Sequence, residues 1–479
     1  NESCYAIDSI SGAELFSNPW GNGSEVALKL ALAGALERAS RAPKPQISLD
    51  TAIDMIVNLQ NHLEAELALG HDGHLISTYI QLRGIPLPEV EENIYALGRF
   101  VDDLKDEQKY LRAMLGGDDP HQFFRTHDVM PIYGLVASGN IGLFESVILI
   151  WSGILALAAR NGSRFSLIIK PSIYDFLFHD LIQLIPEKGR IAFSRVTWRS
   201  DDGILPDMNL MSKLVNNVDG AIYFGNRNTL LKIKTSLHKD THNHYFYYDH
   251  FPIMILRSDI DQEIIDAAAE LAITLAYKQR GESCLSLQDV FVHEAAYGKF
   301  IAAVEREWRS LHNFYGDSHQ PGELLSSYSR SHLENISYIK DKMDGAVIGK
   351  VYPDQYRTDL LINHEIYADN WILATENAAP LLCIAKFQSE DGILKELNQH
   401  LIKSTYDKFI YSVIVGEPDY QSRFSGELSA LSHRLEVLAS PQQLASFMAY
   451  DSGVPHCGGT SFLADLFGLK HRETCYIRI

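Results

Sequence analysis

Hydrophobic and polar positions follow a helical period through the first 125 residues. Apolar side chains recur at steps of three and four residues within 23–40, 49–70 and 89–115, which is the spacing of one helix face. We therefore predict a helical N-terminal region over residues 1–125. Its sequence contains no motif that points to a specific activity.

After residue 125, short apolar runs begin to alternate with helical patterns. Strands are predicted at the runs MPIYGLVA, FSLIIK, IAFSRVTW, DGAIYF and IMILR. Helices are predicted between them, near residues 141–160, 172–184, 207–217 and 227–238. Strands separated by helices imply right-handed crossovers and a mostly parallel sheet, so residues 126–257 are predicted to form an α/β domain of the nucleotide-binding type.

The same alternation starts again near residue 261. A helix over 261–279 is followed by predicted strands and helices at 289–293, 294–308, 346–352, 381–387, 390–403 and 409–415. We interpret 258–435 as a second α/β domain and 436–479 as a C-terminal return segment. The tail, CYIRI, is expected to pair with a sheet edge of a partner subunit, which favours a homo-oligomer, a dimer or a tetramer.

The composition argues against two classes of function. The chain has 42 basic and 61 acidic residues, a net charge of −19, which argues against a nucleic-acid partner. Its five scattered cysteines form no C-x-x-C pair, which argues against structural zinc and favours a reducing, cytoplasmic setting. The histidines His242, His244 and His250 have no acidic or cysteine partner at ligand spacing, so no metal site is predicted.

The most apolar stretch of the chain is residues 141–159. Its length nearly suffices for a membrane span, but it contains Glu145, and no second stretch of that kind exists. A buried helix of an α/β domain has the same pattern, and we predict that helix rather than a span. The sequence NESCYAIDSISG at the start lacks the basic and apolar regions of a signal peptide.

Cys284 is the first candidate for chemistry. It follows Gly281, Glu282 and Ser283 at a predicted helix-to-strand junction. A thiolate is a strong nucleophile, and such a junction can present a sulfur in a cleft between two domains. A buried cysteine that acts as a small hydrophobic residue would have the same local sequence.

Three predicted strand ends in the first α/β domain also carry polar residues or glycine. These are Asn140 after the first strand, Lys170, Pro171 and Ser172 at the end of the second, and Gly225 with Asn226 after the fourth. Ligands bind at the carboxyl ends of parallel strands, where an amide can stabilise an oxyanion and an ammonium can donate to ribose or phosphate. Each residue also has a structural alternative: a capping Asn, an edge lysine or a turn glycine.

Taken in this order, these features resemble the aldehyde dehydrogenase superfamily. The resemblance implies an aldehyde dehydrogenase-like α/β fold: a helical N-terminal region, a Rossmann-type dinucleotide-binding domain (126–257) and an α/β catalytic domain (258–435). It makes Cys284 the nucleophile and Asn140 an oxyanion donor. It also assigns cofactor contacts to Lys170, Pro171, Ser172, Gly225 and Asn226. The segment ATENAAPLLCIAKF matches the family's Glu-x-x-x-Pro pattern, which adds Glu376 and Pro380 to the cofactor site.

One departure from the family pattern narrows the expected reaction. Oxidising members carry Glu-Leu-Gly-Gly about thirty residues before the cysteine, where this chain has HNHYFYYDHFPIMILRSD. Without that base, hydrolysis of an acyl-Cys is slow and exchange with a thiol is favoured. The chain therefore resembles the acyl-CoA reductase branch, including the fatty-acyl reductases of bacterial bioluminescence.

This resemblance implies NAD(P)H-dependent reduction of an acyl thioester, on CoA or a carrier protein, to an aldehyde through acyl-Cys284. NADPH is the expected donor, with NADH as the alternative, because Ile173 stands where NAD-preferring relatives often place a glutamate. Two alternatives remain: a non-redox acyl-transfer or scaffold protein on the same fold, and ordinary aldehyde oxidation with a replacement base such as Asp249 or His250.

Overall fold

A computed structural model describes most of both predicted α/β domains. The described residues are 4–7, 14–18, 25–41, 44, 46–83, 85, 87–105, 131–137, 141–160, 163–171, 177–190, 192–196, 208–225, 227–237, 244–247, 251–258, 260–277, 281, 283–316, 347–348, 351–352, 357–358, 361–363, 381–404, 409–416, 423–447 and 475–476.

The chain divides into two compact units. The first comprises Asn1–Ile80, Val90–Tyr248 and His456–His471, and the second comprises Gln81–Glu89, Asp249–Pro455 and Arg472–Ile479. The main change between units thus falls near residue 248, whereas the sequence pattern placed it near 257.

The N-terminal region contains the three predicted helices, together with a hairpin and a further helix (His74–Arg83) that the pattern did not indicate. The hairpin pairs β1 (Cys4–Ile7) with β2 (Glu14–Asn18) in antiparallel register. The helices are α1 (Glu25–Ser40), α2 (Leu49–Leu69), α3 (His74–Arg83) and α4 (Leu87–Lys105). At the start of α2 the Ser48 hydroxyl accepts a hydrogen bond from the Thr51 N–H at 3.1 Å, which satisfies one of the free amides of the first turn.

The first unit is built on a parallel sheet with strand order β5-β4-β3-β6-β7. Its elements are β3 (Ile132–Val136), α5 (Leu143–Ala159), β4 (Ser166–Lys170), α6 (Leu177–Leu184), α7 (Glu187–Arg190), β5 (Phe193–Arg195), α8 (Met208–Asn216), β6 (Gly220–Phe224), α9 (Arg227–Thr235) and β7 (His244–Tyr247). The first four predicted strands are confirmed. The fifth position in the sheet belongs to β7, a strand that the apolar pattern did not reveal.

The apolar stretch at 141–159 forms a buried helix, α5, as predicted. Its side chains are buried from Leu143 to Ala158, and α2 packs against it. The Glu145 carboxylate accepts from the Gly142 N–H at 3.0 Å, and the Tyr79 hydroxyl accepts from the Leu143 N–H at 3.1 Å. The charged residue therefore caps the amino end of a core helix. In the part of the chain that the structure describes, no helix is both long and apolar enough to cross a membrane.

The second unit contains an eight-stranded sheet in the order β10-β13-β14-β9-β8-β15-β16-β17. Its strands are β8 (Ile253–Leu256), β9 (Asp289–His293), β10 (Val347–Ile348), β13 (Leu361–Asn363), β14 (Leu381–Phe387), β15 (Phe409–Val415), β16 (Ser432–Leu438) and β17 (Cys475–Tyr476), beside a small hairpin of β11 (Val351–Tyr352) and β12 (Arg357–Thr358). Its helices are α10 (Gln262–Tyr277), α11 (Glu294–Gly316), α12 (Glu390–Ser404), α13 (Arg423–Ala430) and α14 (Pro441–Ser446).

Several strands differ from the sequence prediction: β13 was not predicted, and the single strand predicted over 346–352 is divided between β10 of this sheet and β11 of the small hairpin. Ile253–Leu256 was placed in the first domain, but it lies between β9 and β15 of the second sheet. Ser432–Leu438 was not predicted as a strand, because Arg434 and Glu436 interrupt its apolar run. The tail strand β17 pairs in parallel with β16 of its own chain, whereas the expectation was pairing with a partner's edge.

Candidate functional site

Two predicted cofactor residues lie at one edge of the first sheet. Val136 of β3 is in register with Lys170 of β4 and with Tyr223 of β6, so the carboxyl ends of these three strands are level. Lys170 ends β4 and Gly225 follows β6 directly. Because ligands of open parallel sheets bind at this edge, the topology brings Lys170 and Gly225 to the ligand-binding edge of the sheet.

Lys170 is a buried ammonium group. Its side chain is 9% exposed, and burial lowers the pKa of Lys170 to about 8. The backbone carbonyl of Lys170 accepts from the Ala137 N–H at 2.9 Å, which continues the pairing of β3 and β4 beyond their last residues. A lysine held this way has lost much of its hydration, so a ligand oxygen that accepts from it would replace lost water contacts.

Gly225 is required by its backbone conformation and by its surroundings. Its φ of +156° belongs to the region that side chains rarely adopt. A Cβ atom at this position would lie 2.5 Å from the Tyr223 hydroxyl oxygen and 2.8 Å from the Tyr223 Cζ. The absence of a side chain at Gly225 therefore makes room for the Tyr223 ring and lets the chain turn immediately before α9.

Cys284 lies in a tight turn between α10 and β9. The turn begins at Gly281, whose φ of +70° is left-handed. The Ser283 hydroxyl accepts from the Leu285 N–H at 3.1 Å, and the Ser283 carbonyl accepts from the Ser286 N–H at 2.9 Å. Cys284 itself is 8% exposed. The structure thus places this sulfur in a hydrogen-bonded, largely buried turn rather than on an open loop.

A tyrosine that sequence reasoning missed supports this turn. Tyr411, at 0% exposure, donates its O–H to the Leu285 carbonyl at 2.9 Å. Burial raises the pKa of Tyr411. The positive charge of Arg434 lowers this pKa, and a negative charge on Cys284 raises it further. Since Tyr411 is held as a neutral donor, it fixes the carbonyl of the residue that follows Cys284.

Behind Tyr411 lies a buried ion pair. Arg434, the register partner of Tyr411 on β16, contacts the Glu436 carboxylate with an Nε–Oε1 distance of 2.6 Å. Its guanidinium also lies over the Phe447 ring at 5.2 Å, and that ring packs on Tyr411 with the centroids 5.7 Å apart. The only signal in the sequence was a pair of opposite charges two residues apart in the run SHRLEVL.

The second buried cysteine, Cys383, has a different environment. It is in register with Asp289 across β14 and β9, and both are about 1% exposed. Burial raises the pKa of Asp289 well above its usual range, although the Gln288 amide lowers it. Burial and then the Asp289 charge raise the pKa of the Cys383 thiol. Cys383 is therefore kept as a neutral thiol, which makes it a poor nucleophile.

Other predicted site residues lie outside the described residues. These are Asn140, Ser172, Asn226, Glu282, Glu376 and Pro380, together with Asp249, His250 and His242. Pro171 is described, and it is buried next to Lys170. Within the described ranges, no group of three or more His, Cys, Asp or Glu residues is arranged to hold a metal ion.

The segment that contains the Cys284 turn matches the model of a known family. Residues 252–402 match the model of the aldehyde dehydrogenase family. Within a stretch of 155 residues the chain is 26% identical to a mitochondrial aldehyde dehydrogenase from Leishmania tarentolae, which covers 31% of this chain and 30% of that relative. The chain thus matches less than a third of that relative's length.

Solved structures extend the similarity to nearly the whole chain. An NAD-dependent benzaldehyde dehydrogenase from Corynebacterium glutamicum superposes with a TM-score of 0.63 at 15% identity, over 93% of each chain. A 1-pyrroline-5-carboxylate dehydrogenase from Thermus thermophilus has a TM-score of 0.67 at 13% identity, over 97% of this chain and 89% of that one. The chain therefore has the aldehyde dehydrogenase fold, and its residues 252–402 match the model of that family.

Proposed function

We propose that this protein is an NAD(P)-dependent oxidoreductase that reduces an acyl thioester to an aldehyde through an acyl-Cys284 intermediate. The observation that carries the proposal is the Cys284 turn. It lies inside the segment that matches the family, between α10 and β9, with a neutral tyrosine fixing its backbone.

The chemistry at Cys284 begins with attack of its thiolate on the thioester carbonyl. Its backbone N–H and the amide of Asn140 stabilise the oxyanion, and the carrier thiol leaves as the acyl-Cys forms. Tyr411 acts on this step indirectly: its hydrogen bond to Leu285 limits the conformations of the peptide that follows the nucleophile. Asn140 takes its role from the family resemblance.

The residues of the first sheet edge fit a nicotinamide dinucleotide. Lys170 offers a buried ammonium for ribose or phosphate oxygens, and Gly225 makes a turn with positive φ at the same strand edge, directly before α9. We assign the further contacts to Pro171, Ser172, Asn226, Glu376 and Pro380. When bound, the reduced nicotinamide supplies the hydride that converts acyl-Cys284 to a thiohemiacetal. NADPH is the preferred donor, since Ile173 offers no carboxylate to repel a 2′-phosphate.

Reduction is favoured over oxidation by the region that precedes the cysteine. Oxidising family members place a glutamate there as general base, whereas the described residues 251–258 read FPIMILRS. The flanking Asp249, His250 and Asp259 lie outside the described residues. Within residues 251–258, Ile253–Leu256 is a fully buried strand. Without a base to activate water, an acyl-Cys exchanges with a thiol more readily than it hydrolyses, and a thioester is the matching substrate.

The test is consumption of NADPH and NADH with a panel of acyl-CoA thioesters, comparing wild type with Cys284→Ala and Cys383→Ala. Aldehyde formation should be lost in Cys284→Ala and retained in Cys383→Ala, because burial and the Asp289 charge keep Cys383 as a protonated thiol. Intact-mass analysis should detect an acyl group on wild type in the absence of reduced cofactor and none on Cys284→Ala. Aldehyde formation that survives Cys284→Ala would refute the proposal.

Aldehyde oxidation is the second candidate, because the similar proteins are named as aldehyde dehydrogenases. Incubating the protein with an aldehyde and either NAD⁺ or NADP⁺, and identifying the product, distinguishes the two reactions. Release of a free acid without added CoA would support oxidation and a base elsewhere in the chain. Turnover that requires CoA and yields a thioester would support the reductase run in reverse. Acylation of Cys284 without oxidation or reduction of the cofactor would support the acyl-transfer alternative.

A further inference from the structure

A cavity of about 270 Å³ lies in the first unit beside β5, the edge strand of the sheet. Four elements contribute to it: the end of α1, the outer side of α6, the short helix α7 and β5 itself. Its polar lining consists of Arg38, His179, Gln183, Arg190, Ser194 and Arg195. None of these residues takes part in the site described above.

The charge of this lining is opposite to that of the chain as a whole. Three guanidinium groups and an imidazole face the cavity and no lining residue is acidic, although the chain carries a net charge of −19. Asp180 interacts electrostatically with Arg195, and burial raises the pKa of this carboxyl, whereas the charge of Arg195 lowers it. Because the three guanidinium groups are permanently charged and no lining residue is acidic, the lining itself is cationic.

Two of the arginines are held in place within the cavity wall. Arg195 is only 5% exposed, at the end of β5, and its positive charge, after burial, lowers the pKa of His179. Arg190 donates from Nη1 to the Gln183 Oε1 at 3.0 Å. Guanidinium groups fixed in this way lose less conformational freedom when they bind an oxyanion, and they pair with phosphate in a bidentate manner.

We propose that this cavity binds the phosphoryl group of a small phosphorylated molecule. Its volume lies just below the range of about 300–1,000 Å³ typical of pockets that enclose drug-sized ligands, so a phosphoryl group with a small body fits it and a whole dinucleotide does not. Ile169 and Arg195 are in register, which places the cavity one strand from Lys170. Two molecules could therefore supply the phosphoryl group, a free phosphorylated metabolite or NADPH through its 2′-phosphate, and the experiment must distinguish them.

The experiment is isothermal titration of the full chain with inorganic phosphate and with pyrophosphate. Arg38→Gln and Arg190→Gln should each weaken binding by about tenfold, the value of one charge-assisted hydrogen bond. The matched control is Arg41→Gln, because Arg41 lies three residues after Arg38, is exposed and pairs with Glu37 rather than with the cavity. Neither test variant replaces a buried side chain, so both should keep the fold, and thermal unfolding checks this.

Competition identifies the source of the phosphoryl group. Displacement of phosphate by NADPH but not by NADH would support the proposal with the cofactor as the source. Displacement by neither would support it with a separate ligand. The proposal is overturned if phosphate and pyrophosphate do not bind, or if Arg38→Gln and Arg190→Gln bind them as tightly as wild type. These titrations need no catalytic turnover, so failure of the thioester reaction would leave their result unaffected.

Discussion

Replacing Lys170 with methionine should stabilise the protein while weakening its hold on the cofactor. The side chain ends β4 at the ligand edge of the sheet and is almost completely buried. Methionine keeps a similar length and apolar stem but removes the ammonium. The substitution therefore separates the cost of burying the charge from the benefit that the charge brings to a bound ligand.

The size of the effect follows from the lowered pKa of Lys170. A fall from 10.5 to about 8 means that the charged form is disfavoured in the native state by about 3 kcal/mol at pH 7. Since the native pKa is the lower one, the unfolded chain holds the proton more tightly. Wild-type stability should therefore rise as pH increases from about 8 to 10.5, and the advantage of methionine should shrink to about 1 kcal/mol at pH 10.

Urea unfolding followed by tryptophan fluorescence, at pH 7 and at pH 10, measures this difference. The control is Lys213→Met, an exposed lysine on α8 of the same unit, which should change stability by no more than about 0.5 kcal/mol. In parallel, NADPH should bind Lys170→Met about tenfold or more weakly, because a charge-assisted hydrogen bond is lost. Equal stability of Lys170→Met and wild type at pH 7, or an advantage of the same size at both pH values, would refute the reasoning.

Two further substitutions test the second sheet. Tyr411→Phe removes the donor to the Leu285 carbonyl and should lower the free energy of unfolding by about 1–3 kcal/mol. It should also slow the acylation of Cys284, measured by intact mass, without changing the affinity for NADPH. Unchanged acylation would contradict the positioning role of Tyr411. Asp289→Asn should stabilise the protein at pH 7 but not near pH 4, because burial raises the native pKa of Asp289 and wild type loses stability as pH rises above about 3.8. Urea unfolding at several pH values measures this difference. A gain in stability that is equally large near pH 4 would contradict the prediction.

The elements with strong local patterns were predictable from the sequence. Helix α5 and strands β3, β4 and β6 follow from apolar runs of the right length, and the alternation of strands and helices implies a parallel sheet. That topology was enough to bring Lys170 and Gly225 to one edge. The turn at Cys284 was predicted as a helix-to-strand junction, and the structure confirms helix α10 before it and β9 after it.

The membership of strands in sheets was not predictable from local pattern. Ile253–Leu256 is an apolar run that suits either sheet, and only the pairing partners β9 and β15 place it in the second. Strand β16 was missed because Arg434 and Glu436 neutralise each other inside the fold, which no local hydrophobicity pattern records. The pattern likewise gave no reason to expect β17 beside β16.

From the sequence alone, most helices and core strands could be predicted in order, as could Lys170 and Gly225 at the strand ends and Cys284 in a helix-to-strand turn. These are local properties, since side-chain periodicity and turn residues act over a few neighbours. Tertiary structure alone decided that Tyr411 reaches the turn at Leu285 across 126 residues of chain, and that the pKa of Lys170 falls to about 8. Both depend on burial and contacts between distant segments, which exist only after the chain has folded.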